Sequence, residues 1–336
     1  MHSEEEMLRA VACYTKDNDI RMQSTSGGVF TELSREVLKK NGVVFGAKFD
    51  DEYNVVHSFT ESIEGLQAFR GSKYPQSKMG EAFIKVKEFL EDNRLVLFSG
   101  TACQIEGLHS YLNKDYDNLI CIDFICFGVA SPKVWNTYLE SFFGIKNVRE
   151  IKFKDKKHGW KSWDFMVRGK TRTIRERGNH SIFMNGYLNA LYLRPSCYEC
   201  CFKGMNNRRS DITISDCWGI DVIDAEFYNS KGVSGIYIHT RKGNSLFNAI
   251  QENVVYKDMK PESLLKYNPY AMKNISKSIN REEFFNSLCN EAVNKKKLLK
   301  KYYTMRGIKN SIRRKIVIPM KNILSVSYTH LTLPTK

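Results

Sequence analysis

Residues 194–219 read RPSCYECCFKGMNNRRSDITISDCWG, and they set the question for the whole chain. Cys197 and Cys200 form a C-x-x-C pair, Cys201 follows directly, and an Arg/Lys-rich loop leads into the β-branched run Asp211-Ile-Thr-Ile-Ser215 and then Asp216-Cys-Trp-Gly219. Two thiolates three positions apart reach one metal centre from a single turn, which is why the spacing recurs at zinc and iron–sulfur sites. One pair supplies two ligands. The rest of the chain must offer two more.

Working outward, two segments qualify. Residues 94–98 (RLVLF) read as a buried strand that turns through Ser99-Gly-Thr-Ala-Cys103 into a helix over 104–112. Residues 118–125 (NLICIDFI) read as a second buried strand, followed by Cys126-Phe-Gly-Val-Ala-Ser-Pro132 and a helix over 133–143. Strand, glycine turn and helix make an α/β unit, whose ligands gather at the carboxyl ends of strands. Cys103 and Cys126 both fall there, and Cys103 also sits at a helix amino end, where the dipole favours thiolate. Equivalent positions in successive units lie side by side. Cys103, Cys126, Cys197 and Cys200 are therefore the expected four-thiolate set. Cys121, in mid-strand, reads as packing, as do Cys13 and Cys289; Cys201 and Cys217 stay open as substitutes for an assigned ligand.

Upstream, Ser24-Thr-Ser-Gly-Gly28 precedes a helical pattern over 29–40. Small residues at a helix start let backbone N–H groups approach an anion, or merely cap the helix; on the residues alone the cap is favoured. Strands follow over 42–49 and 54–59, then the loop Arg70-Gly-Ser-Lys-Tyr74, suited to a phosphate or an anionic ring and equally to an ordinary exposed turn. Residues 81–90 read as a helix. Ala12 to Thr15 reads as a short strand with nothing before it to pair. Residues 151–175 alternate around Trp160, Trp163 and Phe165 as antiparallel strands packed on the first units; 181–193 is helical, 233–240 a late strand and 244–253 a helix. For Trp160, Trp163 and Trp218 core packing is preferred over stacking on a ring, and Asp216 is read as ending a strand and capping the next turn.

The predicted class is α/β (α+β): a central mixed sheet with flanking helices, an antiparallel insertion and a helical basic C-terminal region. At 336 residues the chain buries a sizeable core. It divides into a core over 1–260, shortened at its front, a region over 261–325, and residues 326–336, which resemble translated sequencing adapter and are excluded from the fold along with His330. The net charge of +15 is local: residues 291–321 hold eleven Lys/Arg against one acid, leaving +5 for the rest. Without an aromatic ladder or a nucleic-acid module, that run reads as a solvated face, and no specific nucleic-acid binding is expected. No apolar run is long enough for a transmembrane segment, and the nine cysteines fit a reducing, cytoplasmic location.

Seven pieces in order resemble the beta-subunit family of coenzyme F420-dependent hydrogenases and dehydrogenases. They are 24–28, 42–47 (GVVFGA), 70–74, 100–104 (GTACQ), 123–129 (DFICFGV), the C-x-x-C pair and 210–219 (SDITISDCWG), spread over residues 10 to 255. The resemblance implies an oxidoreductase, an iron–sulfur flavoprotein passing electrons between a [4Fe-4S] cluster and FAD (FMN possible), which exchanges hydride with coenzyme F420 or another two-electron acceptor. By position it makes Cys103, Cys126, Cys197 and Cys200 the cluster ligands. Ser24, Ser26, Gly27, Gly28, Arg70, Ser72, Lys73, Gly100 and Thr101 become cofactor contacts, with Lys73 and Arg70 placed to stabilise charge on the reduced ring. Ala102 stands where the family usually has Pro, and Phe127 where it often has His; both alter the surroundings of the cluster. A ferredoxin-like module of closely spaced cysteines, frequent at the front of the family, is missing ahead of Cys13, so ferredoxin or another electron-transfer subunit becomes the expected partner. The rival readings are a non-catalytic zinc-stabilised scaffold and a degenerate member that binds neither cofactor.

Overall fold

The computed structural model describes residues 9–205 and 208–303. Eleven strands occur among them: β1 (Arg9–Thr15), β2 (Val43–Phe49), β3 (Val55–Thr60), β4 (Val96–Ser99), β5 (Leu119–Phe124), β6 (Val148–Asp155), β7 (Asp164–Gly169), β8 (Thr173–Arg177), β9 (Ile212–Asp216), β10 (Ser234–Ile238) and β11 (Val254–Asp258). Eight form a mixed sheet in the order β11-β1-β10-β9-β5-β4-β2-β3, and the other three form an antiparallel sheet β6-β7-β8. The expected central mixed sheet, flanking helices and antiparallel insertion are all present.

The centre of the large sheet is parallel, β2-β4-β5-β9, with Phe98 opposite Cys121 and Ile122 opposite Ile212. These strands are continuous apolar runs because both faces are covered. Alternation splits them cleanly: Val96, Phe98 and Cys121 pack under the helices Ala82–Glu91 and Ala102–Leu112, whereas Leu97, Ile120 and Ile122 pack with Val29, Leu33 and Val37 of the helix Val29–Lys39. Beyond β9 the sheet turns antiparallel. β1 finds its partners far downstream, pairing Val11 with Ile236 of β10 and Cys13 with Tyr256 of β11.

Two helices differ in extent from the sequence reading. The first spans only Ile182–Leu188: the Ser181 hydroxyl caps its start by accepting from Met184 N–H at 3.0 Å, and Ala190 enters the left-handed region at φ 54°. The second begins earlier, at Arg241, because Thr240 caps it, and ends at Ala249. Asp216 does not cap a turn; it forms an ion pair described below.

Ser278 closes the larger compact unit. In the second unit the described helix Arg281–Cys289 buries Phe284, whose ring packs 5.3 Å from that of Tyr302. The basic run continues outside the described residues, as does the segment 326–336. Among the described residues no helix is long and apolar enough to cross a membrane.

Candidate functional site

Strands β1, β4, β5 and β9 run in one direction, so their carboxyl ends open on one edge of the sheet. The loops leaving them surround a cavity of about 560 Å³. Ser24, Ser26, Gly28, Arg70, Ser72, Lys73, Gly100 and Thr101 all line it, and so does Cys126. Gly27 does not. Its N–H donates to Ser234 Oγ (3.0 Å), its carbonyl accepts from Thr15 N–H (2.8 Å), and a Cβ there would lie 2.4 Å from the Cys13 carbonyl oxygen.

The Ser24–Gly28 loop is held by side chains that turn inward. Ser26 Oγ donates to the Val233 carbonyl at 2.7 Å, and the Ser72 N–H donates to Thr25 Oγ1 at 2.7 Å, coupling this loop to Arg70–Tyr74. Gly28, at φ 82°, occupies the cap position of the helix Val29–Lys39, and no side chain caps that end. Arg70 bridges the same loops through Gln23 Oε1 (2.8 Å) and Thr31 Oγ1 (3.3 Å). Lys73 Nζ donates to the carbonyls of Arg70 and Gly71 at 3.1 and 3.2 Å. Half-buried at the cavity wall, this ammonium is pushed down to about 7 by desolvation.

The far wall holds groups that the sequence reading left out of the site. Lys154 of β6 donates to Asp216 Oδ2 at 2.7 Å, and Trp160 Nε1 donates to Asp216 Oδ1 at 3.1 Å. Trp160 is fully buried as core; Trp163 and Trp218 line the cavity, and Trp218 stacks on Trp160 with ring centres 4.9 Å apart. His57, from β3, is buried between Ser77 Oγ (2.8 Å) and the Ser99 carbonyl (3.0 Å). The carbonyl fixes the proton on Nε2, and burial lowers the imidazole to about 4. The one available signal for Lys154 was the alternation Lys154-x-Lys156, which puts both lysines on one face of a strand without saying that the face turns inward.

Of the four candidate thiols, Cys126 lines the cavity, and the others are its electrostatic neighbours or neighbours of Cys197. Burial raises the Cys126 thiol to about 12, and the neighbouring Cys197 and Cys103 charges push the same way against Lys203. Cys197 is raised likewise by burial, with Cys103 and Cys200 among its charged neighbours. Each of the four is thus within electrostatic reach of others in the set, although among the described residues no three His, Cys, Asp or Glu side chains close up as round a single ion. Local structure explains the approach. Gly128 has no Cβ, and one placed there would lie 3.3 Å from Cys197 Cβ and 2.8 Å from Leu193 Cδ1. Its absence lets the loop after β5 lie against the Cys197 turn, where Arg194 N–H donates to the Val129 carbonyl at 2.9 Å. Lys203 Nζ donates to the Cys126 carbonyl and to that of Tyr270. The buried pair Arg208–Asp123, at 2.5 Å, ties the end of the cysteine loop to β5. Cys103 Sγ lies 3.0 Å from Thr101 Oγ1, on a helix start closed by a capping box with Gln104. Cys13, Cys121 and Cys217 are buried, and Cys201 and Cys289 are exposed. The donor chemistry, four soft thiols of which Cys103 is exposed and the other three half-buried, suits an iron–sulfur cluster.

The architecture is therefore that of an α/β protein with a cavity at the carboxyl edge of a mixed sheet and Cys126 in its wall. Residues 10–83 match the family described as the N-terminal part of the coenzyme F420 hydrogenase/dehydrogenase beta subunit, and residues 93–263 match the family described as the C terminus of that same subunit. The chain belongs to this family of oxidoreductase subunits. No curated protein matches the sequence. Among solved structures, a chain of the F420-reducing [NiFe] hydrogenase complex from Methanosarcina barkeri, in its xenon derivatization, is similar in fold at a TM-score of 0.56 and 16% identity, covering 84% of this chain and 92% of that one.

Proposed function

We propose that this chain is an iron–sulfur flavoprotein that passes electrons between a [4Fe-4S] cluster and a flavin, FAD or FMN, which exchanges hydride with coenzyme F420 or another two-electron acceptor. Electrons reach it from ferredoxin or a partner subunit. The observation that carries this reading is Cys126, which lines the cavity and has Cys103 and Cys197 as electrostatic neighbours. On this reading one residue would join the two sites.

Cys103, Cys126, Cys197 and Cys200 would hold the cluster. The uncapped start of the helix Val29–Lys39, with Ser24, Ser26, Gly28 and Ser72, would receive the phosphates, and Arg70 braces their loop. A flavin supplies the exchange between single electrons and a hydride, the latter being two electrons and one proton. The protein binds and orients the ring, screens it from water with Trp163, Trp218, Tyr267 and Tyr270, and keeps a proton-sharing amine at Lys73 Nζ, whose lowered basicity suits exchange near neutral pH.

The test is anaerobic purification followed by iron, acid-labile sulfide, zinc and flavin assays. About four irons with matching sulfide and about one flavin per chain are expected. Replacing Cys103, Cys126, Cys197 or Cys200 by Ala should each remove the iron, whereas Cys121→Ala and Cys217→Ala keep it. Zinc without iron or flavin, persisting after anaerobic reconstitution, would replace this reading with a zinc-stabilised scaffold.

A further inference from the structure

Among the described residues, three cations border the cavity, and two are already engaged in holding backbone or loops. Arg70 is committed to Gln23 and Thr31, and Lys73 to the carbonyls of its own loop. Lys154 differs in origin and in surroundings. It comes from β6, in the antiparallel insertion, and crosses to the carboxyl end of β9, where Asp216 accepts its hydrogen bond at 2.7 Å. Its side chain is only 9% exposed, and what exposure it has is to the cavity that it lines.

The arrangement around its ammonium is built. Nζ lies 5.0 Å from the Trp218 ring centre and 5.8 Å from that of Trp163, within cation–π range of two aromatic walls. Asp216 is itself fixed: Trp160 Nε1 holds its other carboxylate oxygen, and Asn268 Nδ2 donates to its backbone carbonyl at 3.0 Å. The Tyr74 hydroxyl also acts on Lys154 and favours its charged form. Three N–H groups radiate from an ammonium, and Asp216 engages one of them. Burial is the largest influence and works against the charge, but Asp216 and Tyr74 together outweigh it and hold Lys154 well above the ordinary lysine value. Lys73, by contrast, is near half-protonation at neutral pH.

We propose that Lys154, aimed by Asp216 between the Trp163 and Trp218 rings, is the fixed cation that seats a planar ring gaining negative charge on reduction. The inference rests on the flavin reading of the cavity and deepens it. It assigns charge stabilisation to the insertion strand, leaving Arg70 to brace the loops and Lys73 to share a proton. The physical requirement is a cation that keeps its proton while the ring becomes anionic, since a group that surrendered it would offer no attraction to the reduced form. Asp216 does two opposing things here: it keeps Lys154 charged and in place, and it partly cancels the field that Lys154 projects.

That opposition gives the test a sign that loss of structure cannot imitate. Dissociation constants for oxidised and for dithionite-reduced FAD are measured anaerobically on the full chain and on three variants. Lys154→Met should weaken the reduced form about tenfold more than the oxidised one, equivalent to a midpoint potential lower by about 30 mV for a two-electron couple. Lys154→Arg should retain most of the difference. Asp216→Asn, nearly isosteric and compared with the other chains at pH 6 so that Lys154 keeps its proton without the carboxylate, removes the counter-charge and should shift the ratio the other way, favouring the reduced form. If Lys154→Met weakens both forms equally, or if Asp216→Asn moves the ratio in the same direction as Lys154→Met, the proposal is overturned. Should Lys154→Met fail to fold, the direction of the Asp216→Asn shift decides alone. A wild-type chain that binds no FAD in either state removes the flavin reading itself, an outcome separate from a failure of Lys154.

Discussion

Lys156 Nζ donates to the carbonyl oxygen of Ser26 at 2.8 Å, so a lysine of the antiparallel insertion holds the loop that borders the cavity. The same ammonium also donates to the carbonyls of Arg21 and Lys231. Three acceptors from three segments meet on one buried amine, which burial and then the nearby Arg21 charge push down to about 7. Arg21 adds a second tie, donating from Nε to the Gly232 carbonyl at 2.9 Å.

Replacing that amine with an apolar chain of similar length leaves three carbonyls without their donor. Lys156→Met is expected to lower unfolding free energy by about 3 kcal/mol, since each of the three hydrogen bonds contributes about 1 kcal/mol net. The neighbouring exposed Lys157→Met should change it by less than about 0.5 kcal/mol. Urea unfolding of the two variants measures the contrast, and equal midpoints would show that the three contacts contribute nothing.

The glycines of the two cavity loops should respond differently. A Cβ at Gly27 meets backbone on two sides, 2.4 Å from the Cys13 carbonyl oxygen and 2.8 Å from Ser234 N, and neither can yield without moving the sheet. Gly27→Ala is expected to cost about 3 kcal/mol or more. Gly71 has φ 79° and open space around it, so Gly71→Ala carries only the left-handed strain of about 1–2 kcal/mol. Thermal and urea unfolding should rank them in that order.

The Arg208–Asp123 pair is almost wholly buried, with side-chain exposures of 3% and 1%, and Thr213 Oγ1 donates to the second carboxylate oxygen. Removing one partner strands a charge. Arg208→Met should destabilise by about 3–5 kcal/mol. The double variant Arg208→Met with Asp123→Leu should recover much of the loss, because the uncompensated carboxylate is gone. A double variant no more stable than the single one would show that the pair contributes through geometry alone.

Two buried histidines make the fold sensitive to mild acid. His57 and His239 are each lowered to about 4 by burial, against 6.5 for the free side chain. Between those values the unfolded chain binds more protons than the folded one, so stability falls as pH drops from 6.5 towards 4. The full shift would correspond to about 3 kcal/mol per histidine. His57→Gln should flatten the decline of melting temperature across this window. An unchanged slope would assign the acid sensitivity elsewhere.

Much of the fold was legible because it rests on local pattern. Unbroken runs such as Val96-Leu97-Phe98 and Leu119 to Ile122 announce strands covered on both faces, and they are. The glycine turn before Cys103 places that thiol at a helix start, as found. The cavity wall was legible only in part. Asp216 reads as a strand-end cap until Lys154 is beside it, and these residues lie 62 positions apart in the chain.

By itself the sequence determined the parallel units, the strand-end positions of Cys103 and Cys126, and the small-residue loops that open on the cavity, because periodicity and turn chemistry act over a few residues. Only the tertiary structure decided that β1 is completed by β10 and β11, that Gly27 packs between strands whereas Gly28 faces the cavity, and that the insertion sends Lys154 and Lys156 inward. The physical reason is one of range. A strand's pattern fixes which residues share a face, but which surface that face meets depends on pairings between segments hundreds of residues apart.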